Sequence, residues 1–228
     1  MNLNDQLARE TAADRDYLVS APVIQRCMAG DITRDQYVAF LTQAYHHVRH
    51  TVPLLMATGA ALPDRHGWLR DPILHYLEEE TGHEQWILND IEHAGGDRNA
   101  AAASRPDVAT EAMVAYAYDT VTRGNPVGFF GMVYVLEGTS VSLALRAADR
   151  IQATLGLPSR AFTYLRSHGE LDQEHVHHLA DILGRLEDLS DRDAVIRCAR
   201  GIFWLYGNVF RGLDERAARP AQELRRSA

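Results

Sequence analysis

Apolar residues recur at three- and four-residue spacing through almost the whole sequence, the pattern of amphipathic helices. Strand signals are scarce: no Asn-Gly or Asp-Gly turn joins two alternating runs. Glycine, proline and aspartate clusters at 29–31, 62–67, 94–99, 122–126, 155–160 and 189–193 punctuate the pattern. They mark about seven helical blocks: 3–29 (broken near Pro22), 33–61, 66–93, 107–122, 126–155, 159–187 and 190–217. Thr33, Ser159 and Ser190 are the expected N-caps. The tail 219–228 is expected to fray. With no repeat and no low-complexity linker, the expectation is one all-α domain over 1–228, a bundle of long helices.

A chain of 228 residues with 46% hydrophobic content can bury a core without disulfides. Cys27 and Cys198 are too few for a disulfide framework and are expected to be small core residues, which favours a reducing, cytoplasmic location. The N-terminus is polar and does not resemble a signal peptide, and no apolar run is expected to reach bilayer-spanning length. Net charge is −8 and no basic stripe forms, so neither nucleic acid nor an anionic membrane is an expected partner. All 23 basic residues are arginine, which excludes a lysine Schiff base or lysine general base.

Against this background one stretch stands out. "HGELDQEHVHH", residues 168–178, puts four histidines and three acids into an otherwise apolar helix. His168, Asp172 and His175 are spaced i, i+4, i+7, within about 60° of one another on a helix. The same stripe carries Tyr164, Leu165, Leu171, Leu179 and Ile182, so the three polar groups face the core. Glu170, Gln173, Glu174, His177 and His178 are expected to face solvent.

Three other helices repeat the pattern. Glu137 lies on a stripe of Phe130, Val133, Tyr134, Ser140, Val141, Ala144 and Leu145. Glu80 and His83 form an E-x-x-H pair, with Glu79 as the alternative at i, i+4. In "YHHVRH", the stripe of Tyr37, Phe40, Leu41, Ala44, Val48 and Thr51 carries His47 inward, with His46 second. Bland explanations exist for each. A lone histidine is usually a satisfied core residue, Glu137 can pair with Arg146 or Arg197, and E-x-x-H arises by chance. Seven such residues on four buried stripes are harder to explain separately. His47, Glu80, His83, Glu137, His168, Asp172 and His175 make a ligand mix suited to iron, manganese or zinc. Tyr134, Tyr164 and Trp86 share the helical phase and are candidates to line the site, as are aromatics of 202–210.

On these motifs the chain resembles the heme-oxygenase-like di-iron oxidases, which share a fold with heme oxygenase, the TenA thiaminases and the pyrroloquinoline-quinone synthase. The resemblance runs from "AGDITRDQYVAFL" to the last aromatic helix, and H-x-x-x-D-x-x-H is its most specific mark. It implies a heme-oxygenase-like bundle, two iron ions (manganese as the alternative), O₂ as co-substrate and a small organic substrate: an amino acid, an amine or a fatty acid. A homodimer is compatible with it. One departure is that family members commonly supply a glutamate where this chain has "YHHVRH"; His47 is the substitute. The alternative is a TenA-like or heme-oxygenase-like small-molecule binder or hydrolase without the metal pair. Against it, "YVLEGTSVS" holds no nucleophilic cysteine, and the first 45 residues hold no proximal histidine for heme.

Overall fold

Helix ends in this chain fall where proline, glycine and capping side chains put them. The computed structural model describes residues 2–217, apart from the side chains of residues 170, 171, 173, 174 and 215–217. The expectations for Glu170, Leu171, Gln173, Glu174 and the tail 219–228 therefore lie outside the described residues. Within them are twelve α-helices, three short 3-10 turns and no strand. The helices are α1 (Leu3–Glu10), α2 (Ala12–Val19), α3 (Pro22–Ala29), α4 (Arg34–Val48), α5 (Thr51–Ala61), α6 (Arg70–Glu80), α7 (His83–His93), α8 (Arg98–Ala103), α9 (Val108–Thr122), α10 (Phe129–Leu155), α11 (Thr163–Gly184) and α12 (Leu189–Ala217).

The all-α expectation holds, with more breaks than the seven blocks. Block 33–61 divides at Arg49–His50 because Pro53, in the first turn of α5, cannot accept a continuous helix through its ring. Block 66–93 divides into a 3-10 turn at Asp64–Leu69, α6 and α7. Thr33 does cap α4, in a reciprocal capping box with Gln36. Ser159 and Ser190 do not cap. Ser159 opens a 3-10 turn, and α12 begins at Leu189 with the Asp188 carboxylate accepting from Ser190 N at 2.7 Å.

Helix α10 is the axis of the bundle, packed along α11 and α12 and touching α3 and α9. Helix α4 lies against α7 and α12, closing the other side. Contrary to expectation, the span Pro126–Leu155 is long and apolar enough, by length and composition, to cross a membrane; half of that window is buried in the bundle. Gly131 permits the closest approach. A Cβ there would run into the carbonyl oxygen of Val195 and come within 2.8 Å of Ala199 N, both on α12.

Candidate metal centre

Three helix ends position the site. Helix α6 stops at Glu80 because Thr81 is extended and Gly82 adopts φ +95°, a conformation that favours glycine. The predicted single helix thus breaks between the two members of the E-x-x-H pair. Glu80 Oε2 still lies 3.1 Å from His83 Nδ1, because α7 restarts at His83. The third end is the start of α11. There the fully buried Asp90 of α7 accepts from Thr163 N at 3.0 Å and Tyr164 N at 2.8 Å. A carboxylate from another helix takes the capping role expected of Ser159.

Glu80, His83 and His168 form one triad: a donor atom from each lies within 4.8 Å of the others. His168 Nδ1 is 3.1 Å from the Tyr164 carbonyl oxygen. A ring nitrogen facing a carbonyl carries the proton, so Nε2 offers its lone pair on the side of Glu80, 3.9 Å away. Trp86 stacks on His83 at 4.0 Å, and the Tyr164 ring sits 4.5 Å from His168.

Glu137, Asp172 and His175 form a second, looser triad in which both carboxylates approach the imidazole. His175 Nδ1 lies 3.4 Å from Asp172 Oδ1 and 3.6 Å from Glu137 Oε1. Its Nε2 lies 2.6 Å from Glu79 Oε2. Tyr76, which the motif search missed, donates its hydroxyl to Glu137 Oε2 at 3.5 Å. Neither arginine considered for Glu137 reaches it: Arg146 donates to the Ser142 carbonyl and Arg197 pairs with Asp193.

The ionisable groups of the two triads are shifted in different directions. Burial and the facing Asp172 carboxylate hold the Glu137 pKa well above the usual carboxylate range. Burial pushes Glu80 the same way, but the hydrogen bond from His83 and the charges of His168 and His83 outweigh it, leaving it lowered. Burial lowers His168, against the pull of Glu80 and Asp172. At His175 burial is overcome by Asp172, Glu137 and Glu79, which raise its pKa to about 9.

Some expected members stand elsewhere. His47 is buried, but no carboxylate oxygen of the described residues comes within 4.0 Å of it, and neither ring nitrogen has a hydrogen-bond partner. His46 is buried too, but its Nε2 meets Ser104 Oγ at 2.8 Å. Tyr134 does not face the triads; its ring packs edge-on to Phe203 on α12, and Val141 is exposed on the same helix. The rest of the α10 stripe holds: Phe130, Glu137 and Ala144 are buried, and Val133 and Ser140 line the cavity beside the triads. His177 is exposed as expected, whereas His178 packs against His75 and Tyr76 rather than standing free in solvent. Trp86 and Tyr164 do lie against the site.

Residues 38–207 match a family described as iron-containing redox enzymes. The chain belongs to that family. A search of curated proteins found no match. Solved structures agree on the fold of this iron-containing redox enzyme. A domain of unknown function with a heme oxygenase-like fold from Shewanella denitrificans superposes with a TM-score of 0.84 at 24% identity, covering 100% of this chain and 96% of that one. A TenA homologue from Pseudomonas syringae gives 0.78 at 11% identity over 93% of each chain. Heme oxygenase-1 from Synechocystis, in complex with heme, gives 0.72 at 15% identity over 95% of this chain and 94% of that one.

Beside the triads lies a cavity of about 170 Å³. Glu80, Glu137, His168 and Asp172 line it together with His47, Tyr76, Tyr164 and Tyr206. From there it follows α10 past Leu143, Ala144 and Ala147 to Ile151, where Ile24, Cys27 and Ile32 close around it. Glu137 and Ile151 are separated by about 21 Å of helix rise, so the space is elongated. Cys27, expected as plain core, thus also faces the cavity; burial pushes its thiol up to about 11, which keeps it protonated and a poor nucleophile.

Proposed function

We propose that this enzyme binds two iron ions, one at Glu80, His83 and His168 and one at Glu137, Asp172 and His175, and uses O₂ to oxidise a small organic substrate. The observation that carries the reading is the Glu80–His83–His168 triad, with Glu137 and Asp172 both approaching His175 on the same helix α11 that carries His168. Nitrogen and carboxylate oxygen are the donors iron and manganese take. Cations would also resolve the repulsion that lifts Glu137, because three carboxylates balance most of the charge of two divalent ions.

Iron, when bound, supplies the electron transfer and O₂ chemistry. The chain's own residues do the rest. The Tyr164 carbonyl and Glu79 hold His168 and His175 in fixed tautomers. Trp86 and Tyr164 wall the first triad with aromatic surface and keep water from it. Tyr76 holds Glu137 by one oxygen, leaving the other toward His175.

The cavity narrows the substrate class. Among the described residues no arginine lines it, and its acids and histidines lie on the helices that carry the triads and on α4. A zwitterionic amino acid would leave a charged group unpaired in apolar surroundings. A molecule with one polar head at the triads and a linear apolar body along α10 fits, which favours an alkyl amine, or a fatty acid bound in its undissociated form, over an amino acid.

The test is anaerobic loading with Fe(II), metal analysis and mixing with O₂ in a stopped-flow spectrometer. The expected result is two irons per chain, oxidised faster in the presence of substrate. A chain that binds no iron would reject the reading in favour of a metal-free binding protein, for which the apolar cavity alone suffices. Loading with Mn(II) in competition decides between the two metals.

A further inference from the structure

Two residues that line the cavity carry buried polar atoms that no group among the described residues satisfies. His47 is 3% exposed, and both its Nδ1 and Nε2 lack a hydrogen-bond partner. The other imidazoles lining the triads are different. His83, His168 and His175 each have a carboxylate oxygen within 4.0 Å, and His47 has none among the described residues. Its nearest aromatic neighbour, the Tyr206 ring at 5.7 Å, offers its edge or face rather than a lone pair.

A second orphan faces the same cavity. Ser140, one turn beyond Glu137, has a buried hydroxyl without a partner. Two residues on, Ser142 bonds back to the Gly138 carbonyl at 2.6 Å, the usual habit of a helical serine. Ser140 does not. Buried polar groups are ordinarily paired, so such exceptions point to a missing ligand.

We infer that His47 anchors the polar head of the substrate by hydrogen bonding and is not an iron ligand. This rests on the reading of the cavity as the substrate site. A neutral imidazole offers one N–H and one lone pair. Its complement is a head group that both donates and accepts, such as a hydroxyl or an undissociated carboxylic acid, with Ser140 as a second contact for such a group. Burial holds the ring neutral, lowering its pKa to about 3, so it does not act as a cation for an anionic head. The site thereby selects by hydrogen bonding at the head and by apolar fit along the body.

The experiment uses octan-1-ol and 1-chlorooctane, of similar length, titrated calorimetrically into the full-length, metal-free protein. His47→Phe should weaken octan-1-ol binding at least tenfold and leave 1-chlorooctane unchanged. His47→Gln, which keeps a donor and an acceptor, should stay within about threefold of the parent protein for both. Both variants should load the same amount of iron as the parent. Equal octan-1-ol affinity in His47→Phe, no preference of the parent for octan-1-ol, or loss of iron in either variant would overturn the inference. Should His47→Phe fail to fold, ¹⁵N spectra of the parent's histidine rings decide: octan-1-ol must shift the His47 nitrogens and 1-chlorooctane must not. A parent protein that binds no iron rejects the proposed function separately, because these titrations need no metal.

Discussion

Glu79 Oε2 lies 2.6 Å from His175 Nε2, and the same oxygen is 3.4 Å from Nε2 of the half-exposed His75. The contact keeps a proton on His175 Nε2 and leaves Nδ1 as the nitrogen that faces Asp172 and Glu137. Carboxylates behind a ligating imidazole typically change metal affinity about 10–100-fold. Glu79→Ala should therefore weaken one of the two proposed iron sites by about that factor and leave the other intact. Glu79→Gln, whose amide oxygen can still accept the N–H, should lose less. Titration against a competing chelator, resolving two binding steps, checks this.

Asp90 connects the stability of α7 to the start of α11. It is fully buried and accepts two backbone N–H groups at the first turn of the helix that carries His168, Asp172 and His175. Asp90→Ala removes a cap and leaves buried donors unpaired, a cost of about 1–3 kcal/mol. Asp90→Asn keeps at least one acceptor and should cost less. Urea unfolding of the metal-free protein should show both losses as a lower midpoint with an unchanged slope.

His47 makes the metal-free protein sensitive to acid. Its pKa is lowered from 6.5 to about 3 by burial, with smaller contributions from His168, His50 and His46. Because the folded value is depressed, the stability linked to this group is intact above the unfolded pKa. It declines as pH falls from there toward the folded value, with a slope approaching about 1.4 kcal/mol per pH unit. Between pH 7 and pH 5, His47→Phe should lose less stability than the parent protein. Parallel urea titrations at several pH values measure the difference; identical curves would contradict the assignment.

Much of this site can be read from local periodicity. Helical phase alone puts His168, Asp172 and His175 on the buried stripe of α11, because 3.6 residues per turn is a property of the backbone and needs no tertiary information. The sorting of donors into two triads is different, since it depends on how α6, α7, α10 and α11 cross. Glu79 and Glu80 illustrate the limit. Adjacent helical residues point about 100° apart, so a stripe can claim only one of them. Both reach the site because the last turn of α6 ends between α7 and α11. Tyr134 fails for a related reason: it lies at the margin of the α10 stripe, and helical phase alone cannot tell whether a marginal residue faces α11 or, as here, Phe203 on α12. Pro53 and the Thr81–Gly82 step were visible as breakers, but the continuous apolar pattern around them obscured the breaks.

The approach of α10 to α12 offers a last test that involves no metal. Gly131 lets the two backbones meet. An added Cβ would collide with the Val195 carbonyl and lie 2.8 Å from Ala199 N, and neither backbone atom can turn aside as a side chain can. Gly131→Ala must therefore push α12 away from α10, at the cost of overpacking, about 1–3 kcal/mol. The displacement would also reach the cavity, which α12 closes through Tyr206, Phe210 and Leu213. Gly138 is the control, being on the same helix with no atom within 4 Å of an added Cβ. Gly138→Ala should stabilise α10 slightly, by up to about 1 kcal/mol from helix propensity. Thermal or urea unfolding should move the two variants in opposite directions. A Gly131→Ala protein as stable as Gly138→Ala would show that the two helices can separate without penalty.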